Sequence, residues 1–225
     1  MKLKYFSHSA FQITTDDGKI ILIDPFLDDN PTSPVKSQDV RADYIILTHA
    51  HSDHLGDAMK IAKRSDALLI CVNELANYLI SKGLRAHNMH IGGGHDFDFG
   101  RVKFTIAHHG SSIPGNVYAG EPAGVLLIIG HKTIYHTGDT GLFYDMKLIG
   151  IMNKIDYMLL PIGDNFTMGI TDAVKAVELT NPRVAIPIHY NTFPVIQADP
   201  YEFKRQVNGF GKECCVMDYG QEIDI

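Results

Sequence analysis

Short apolar runs recur along the chain, each closed by polar or turn-forming residues: Ile20–Ile23, Tyr44–Leu47, Leu68–Val72, Val102–Ala107, Val125–Ile129, Tyr157–Leu160 and Val184–Ile188. Runs this short, rich in branched side chains, predict buried strands. Segments of helical length lie between several of them. Gly56–Arg64 sets Met59, Ala62 and Lys63 at helical offsets, Glu74–Lys82 runs into Gly83, and Thr171–Thr180 stops at Asn181-Pro182. Thr171 and Asp172 are placed to cap that last helix. At the start of the chain, Leu3–Phe6, Phe11–Thr14 and Ile20–Ile23, with the turn signal Asp16-Asp17-Gly18, predict an antiparallel opening. An antiparallel start followed by alternating strands and helices predicts a layered α/β protein with mixed sheets. No repeat and no low-complexity linker interrupts the pattern, so residues 1–225 read as a single domain.

Composition narrows the function classes. With 45% hydrophobic and 20% charged residues the chain is an ordinary globular one, long enough to bury a core without disulfides. A formal charge of −6 supplies no basic stripe for nucleic acid. A phosphate-bearing substrate stays open, because bound cations would dominate the local field. Three cysteines, two of them adjacent at Cys214 and Cys215, make no disulfide framework and suit a reducing, cytoplasmic setting. The opening MKLKYFSHSAF lacks the apolar region of a secretion signal. No stretch reaches the roughly 18 apolar residues of a membrane span.

Histidine is the anomaly: there are 12, gathered where the chain turns. The run Leu47-Thr48-His49-Ala50-His51-Ser52-Asp53-His54-Leu55-Gly56 follows directly on a buried strand. In an extended strand exit His49 and His51, two residues apart, point to the same side. Asp53 and His54 follow at the start of a helix expected from about Leu55. Imidazole nitrogens and a carboxylate on one strand-to-helix loop are the donors preferred by zinc and similar divalent ions. Four such groups in six residues crowd a single ion, so the loop predicts two.

His49-x-His51-x-Asp53-His54 resembles the signature of the metallo-β-lactamase superfamily, and further elements follow in order along nearly the whole chain. Ile23-Asp24-Pro25 matches an aspartate that ends an early strand. Ala107-His108-His109-Gly110-Ser111 matches a third-motif histidine, His109 fitting as ligand and His108 as its packing neighbour. His136-Thr137-Gly138-Asp139-Thr140 matches a bridging aspartate, and Pro187-Ile188-His189-Tyr190 a final histidine. The resemblance implies an αββα sandwich of two mixed β-sheets flanked by helices. It implies that His49, His51 and His109 hold a first ion and Asp53, His54 and His189 a second, with Asp139 bridging. Asp24 would orient the ligand loop from behind.

Ser7-His8-Ser9-Ala10-Phe11, Asp24-Pro25-Phe26-Leu27, Met89-His90-Ile91-Gly92-Gly93, Pro161–Gly169 and His189–Pro194 are similar to a narrower family. Its members are small predicted metal-dependent hydrolases related to ascorbate-6-phosphate lactonase and, more distantly, to a phospholipase D acting on N-acyl phosphatidylethanolamines. The implied reaction is attack of a metal-bridging hydroxide on a lactone or ester carbonyl, with Asp53 and Asp139 as catalytic carboxylates. The alternatives are a phosphodiesterase acting on a small or phospholipid-derived substrate and, outside enzymology, a metal-dependent binding or sensing protein. Two zinc ions are the expected cofactors, with manganese, iron or nickel compatible with the same donors. A small molecule is the expected partner, and self-association is not readable. His8 reads either as substrate-facing or as a hydrogen-bonded structural residue. Asp164, Asn165 and Asn191 read either as substrate contacts or as supports of the metal shell. His87, His90, His95 and His131 read as residues without chemistry, His136 as structural or supporting, and Cys71 as core.

Overall fold

A computed structural model describes residues 1–225, in which the chain forms two compact units. The first takes Met1–Gly93, Gly110–Pro122 and Asp218–Ile225, the second Gly94–His109 and Ala123–Met217. In chain order the first unit opens with β1 (Lys2–Ser7), β2 (Ala10–Thr14), β3 (Ile20–Ile23), β4 (Tyr44–Ile46), α1 (Ser52–Leu55) and α2 (Ala58–Ser65). It continues with β5 (Leu68–Val72), α3 (Asn73–Ser81) and β6 (Ala86–Met89). Then come β7 (Gly94–Phe97) and β8 (Gly100–Ile106) of the second unit, and the short hairpin β9 (Ser112–Ile113) and β10 (Val117–Tyr118) of the first. The second unit resumes with β11 (Ala123–Ile129), β12 (Lys132–His136), α4 (Met146–Met152), β13 (Tyr157–Pro161), α5 (Ile170–Thr180), β14 (Val184–Ile188), α6 (Pro200–Gly209) and β15 (Glu213–Cys214). The closing strand β16 (Glu222–Asp224) returns to the first unit.

Each unit carries one seven-stranded mixed sheet with its own helices, in line with the two mixed sheets that the resemblance implies. The first sheet runs β16-β1-β2-β3-β4-β5-β6, the second β15-β14-β13-β12-β11-β8-β7. In the first, β16, β1, β2 and β3 pair antiparallel and β3 through β6 pair parallel. The second has the same division, antiparallel from β7 through β12 and parallel from β12 through β15.

These pairings fix where chemistry can gather. β1, β3 and β4 run in one direction, because two antiparallel steps separate β1 from β3 and β4 is parallel to β3. Their carboxyl ends therefore share one edge of the first sheet, and the residues leaving them are His8, Asp24 and the loop starting at Leu47. By the same reasoning β8, β12 and β14 run together, and their carboxyl ends lead into His109, Asp139 and His189. Ligand sites gather at such carboxyl edges in open α/β sheets.

The core of the second unit shows why the helices sit where they do. Met146 of α4, Ala173, Ala176 and Val177 of α5, and Phe203 and Val207 of α6 are buried against Leu126, Tyr135, Met158, Leu160 and Ala185 of the sheet. Two local expectations are corrected. The helix of the ligand loop begins at Ser52 rather than near Leu55, which puts Asp53 and His54 inside its single turn. The cap of α5 is Gly169, extended at φ −84° and ψ 179°, so Thr171 and Asp172 lie in the first turn. The Asp16-Asp17-Gly18 turn forms as expected, with Gly18 at φ +88° and its N–H donated to Thr15 O at 3.0 Å.

Candidate metal centre

In the first unit the ligand loop is organised around one buried carboxylate. Asp24 leaves β3 with φ 44°, a left-handed conformation held by its own N–H on Ile46 O and by Phe26 N–H on its carbonyl. Its Oδ1 accepts the Thr48 N–H at 2.9 Å, and its Oδ2 accepts the Thr48 hydroxyl at 2.6 Å. Oδ2 also lies 2.8 Å from His54 Nδ1. A carboxylate only accepts, so His54 carries its proton on Nδ1 and Nε2 is the lone-pair nitrogen. Thr48 has a single hydroxyl proton and gives it to Asp24. Its 3.0 Å contact with His49 Nδ1 is therefore donated by the ring, and His49 too presents Nε2. One aspartate thus sets the tautomer of two histidines, directly and through Thr48.

The predicted convergence of His49 and His51 is found. His49 Nε2 and His51 Nδ1 are 3.0 Å apart, with the rings edge to face at 4.6 Å. The His49 and His54 ring centroids are 4.1 Å apart. Asp53 Oδ2 lies 3.2 Å from His8 Nε2, and the Asp53 side chain keeps 26% of its exposure while His8 and His54 are buried. Within this unit His8, Asp53 and His54 each offer a donor atom within 4.8 Å of the others.

Three further contacts fix the loop. Gly56 has φ +43°, and a Cβ there would stand 2.6 Å from Pro25 O, so only glycine lets the end of α1 close on the Asp24 strand exit. Asp57 accepts the N–H groups of Leu27 and Asp28 at 3.1 and 2.7 Å. The Ser111 hydroxyl accepts Ala50 N–H at 3.3 Å. None of Thr48, Asp57 and Ser111 is singled out by the sequence. Thr48 had one readable signal, its place between strand end and first histidine.

In the second unit the three predicted ligands meet. Asp139 Oδ2 lies 3.0 Å from His189 Nε2 and 3.6 Å from His109 Nε2, with Asp139 and His189 buried. His189 stands at φ 53°, and its carbonyl is approached so closely by Gly163 that a Cβ there would be 2.2 Å away. His108 faces outward against Phe143, ring edge to ring face at 5.0 Å, while its N–H is donated to Thr140 Oγ1 at 2.9 Å. His108 thus lies against Phe143, and His109 is the histidine beside Asp139.

The remaining predicted residues take identifiable places. Asn191 Oδ1 accepts Ala198 N–H at 2.9 Å, so its side chain ties a loop. Asp164 and Asn165 are exposed and follow one another in left-handed conformations, φ 59° and 46°. Their loop is tied to the neighbour of Asp139 by the Met168 N–H on Thr140 O at 3.0 Å. His136 is buried, its Nδ1 accepting Gly138 N–H at 3.1 Å. His90, His95 and His131 are exposed and His87 half-buried. Cys71 is core, and burial pushes its thiol well above the usual range.

Both donor sets consist of imidazole nitrogens and carboxylate oxygens, the chemistry of a zinc-type site, and in the first the backing carboxylate holds the donors ready. The Beta-lactamase superfamily domain model matches residues 19–190. The UPF0173 metal-dependent hydrolase of Anoxybacillus flavithermus is 53% identical over 229 residues, covering all of both chains. That of Bacillus cereus strain G9842 is 50% identical over 231 residues, again covering all of both. The structure of Igni18, a metallo hydrolase from the archaeon Ignicoccus hospitalis, matches with a TM-score of 0.91 and 39% identity, covering 99% of this chain and 97% of that one.

Proposed function

This chain belongs to the β-lactamase superfamily as a metal-dependent hydrolase of the metallo-β-lactamase fold, and we propose that it hydrolyses a small ester or lactone at a pair of divalent ions. In this reading, which follows the resemblance, His49, His51 and His109 would hold the first ion and Asp53, His54 and His189 the second, with Asp139 shared. Residues 1–225 act as one catalytic domain.

The observation that carries this reading is the Asp24 carboxylate, buried behind the loop and fixing both His49 and His54 with Nε2 as the lone-pair nitrogen. That arrangement is what ligand histidines require, and a merely polar loop has no use for it. Zinc is the first expectation for such donors. A pair of ions held there supplies a water acidified toward neutrality and Lewis acidity for the oxygen that becomes negative. Asp53, the partly exposed carboxylate of the first set, would be the proton acceptor in this reading. Asp139 is buried with the Nε2 atoms of His109 and His189 beside one of its oxygens, which supports a role shared between ions. The preference for acyl chemistry rests on the resemblance of the sequence motifs to the family related to ascorbate-6-phosphate lactonase. Three cysteines without a disulfide suit a cytoplasmic enzyme.

The test is turnover by the metal-reconstituted protein of a paired panel, lactones and esters against phosphodiesters, with Asp139→Ala as control. Mutant-sensitive activity confined to lactones and esters is the expected result. The same sensitivity confined to phosphodiesters would replace acyl by phosphoryl chemistry. Silence on both with two metals bound would leave a narrow substrate or a binding protein.

A further inference from the structure

We propose that His8 is a positioning residue for Asp53: it donates from Nε2 to Asp53 Oδ2 and thereby fixes which carboxylate oxygen is presented to the metal. The inference rests on the reading of Asp53 as a ligand and adds a residue that lies outside the ligand motif.

The backbone is the first argument. β1 and β2 are joined by two residues, His8 and Ser9, between the paired Ser7 and Ala10. Tight hairpins of this length ask for a positive φ at the first central residue, a demand that glycine, asparagine or aspartate meets at least cost. Here the residue is histidine, at φ 57°. The turn alone therefore does not explain the side chain. Strain of this kind persists where surrounding structure imposes it, and it clusters at functional sites. The imposing contact is visible: the hydroxyl of Tyr5, a ring stacked on Phe11 at 4.7 Å, donates to the His8 carbonyl at 3.1 Å.

The second argument is where the ring goes. Rather than pointing to solvent from the hairpin tip, it is fully buried. It stands 5.8 Å from the Phe26 ring, edge to face, and 5.6 Å from the His54 ring. Its Nε2 reaches Asp53 Oδ2 at 3.2 Å. Because β1, β3 and β4 end at the same sheet edge, this hairpin brings a donor to Asp53 while Asp24 serves the histidines of the same loop. Asp24 orients the histidines of the loop, and His8 orients its carboxylate. A ligating carboxylate held at one oxygen by an outer partner has lost the freedom to rotate or to chelate through both oxygens.

The test compares His8→Gly and His8→Gln in the full-length chain, stripped of metal and titrated with Co2+. Glycine removes the imidazole and relieves the backbone. Glutamine keeps an N–H donor at comparable reach. His8→Gly is expected to resist urea as well as the parent, to bind the same number of Co2+ ions, and to hold them about 10- to 100-fold more weakly against a chelator. A shifted Co2+ absorption band should accompany the weaker binding, and His8→Gln should recover most of the affinity. A His8→Gly chain that is destabilised or unfolded, or that keeps parental affinity, would overturn the proposal in favour of a structural histidine. Loss of a whole Co2+ equivalent in His8→Gly would overturn it in favour of direct ligation. Asp53→Ala keeps the two levels apart: unchanged Co2+ affinity there would refute Asp53 as ligand, whatever His8 does.

Discussion

Asp24 Oδ2 lies 2.8 Å from His54 Nδ1, and both residues are fully buried. The same oxygen takes the Thr48 hydroxyl, which in turn takes the proton of His49. The end of β3 thus controls two donor nitrogens that belong to the exit of β4. A parallel neighbour supplying the outer shell for its partner strand is a direct use of the sheet register, in which Ile23 pairs with Ile46.

Asp24→Ala should therefore act on stability and on metal together. It strips the acceptor from the Thr48 N–H, the Thr48 hydroxyl and His54 Nδ1, and a buried donor left without its acceptor costs about 1–3 kcal/mol. Urea unfolding should show a loss of several kcal/mol. Chelator competition should show metal held roughly 10- to 100-fold more weakly. Normal metal affinity in a folded Asp24→Ala chain would remove the tautomer argument.

Gly163→Ala probes the second ligand set. Its Cβ would stand 2.2 Å from His189 O and 2.9 Å from Ile196 Cβ, and His189 already sits at φ 53°. Overpacking of this kind costs about 1–3 kcal/mol. The thermal midpoint should fall and metal content with it. Gly141→Ala, close in sequence to Asp139 but meeting no atom within 4 Å, should leave both unchanged.

Acid stability should depend on Asp28. The Ser37 N–H and then the Lys60 ammonium hold its carboxyl well below the usual carboxylate range. A depressed folded value means that the stabilisation is fully present above the unfolded value of about 3.9 and is lost as pH falls through the lower folded value. Asp28→Asn should reduce stability at pH 7 and flatten the urea-midpoint profile below about pH 4. A parallel, merely shifted profile would contradict the assignment.

The thiols give a simple check on burial. Desolvation raises all three, Cys214 to about 12 and Cys71 further. At pH 8 the folded chain should react slowly with a thiol reagent, Cys215 first because it is the one only half-buried, and three thiols should appear on unfolding. Prompt reaction at Cys71 would show that the first unit opens readily.

The sequence was most legible where one rule decided the outcome. β5 and β14 match the expected Leu68–Val72 and Val184–Ile188 residue for residue, because unbroken apolar runs suit strands buried on both faces. β6 (AHNM) and β7 (GHDF) sit at sheet edges and are defined by pairing with a neighbour, so their composition gives no signal. α6 carries a signal of its own in Asp199-Pro200, in which the Asp199 side chain accepts the Tyr201 N–H ahead of a proline at the first turn. The donor cluster His49-His51-Asp53-His54 was readable because its spacing is local, whereas His109, Asp139 and His189 were reached through the family resemblance. What lay behind them was not: Thr48 bound to Asp24, Asp57 bound to Leu27, and His8 reaching Asp53 all join residues more than 20 apart in sequence. Such contacts depend on strand order, and strand order is not written in periodicity.

The central claim is that seven residues from two ligand sets hold a pair of metal ions. The most direct test is metal content per chain, by elemental analysis, of the parent and of Asp139→Ala, with His131→Ala as the exposed-histidine control. The expected result is two ions per chain in the parent and in His131→Ala, and one or none in Asp139→Ala. Two tightly held ions in a folded Asp139→Ala chain, or loss of metal in His131→Ala, would contradict the account.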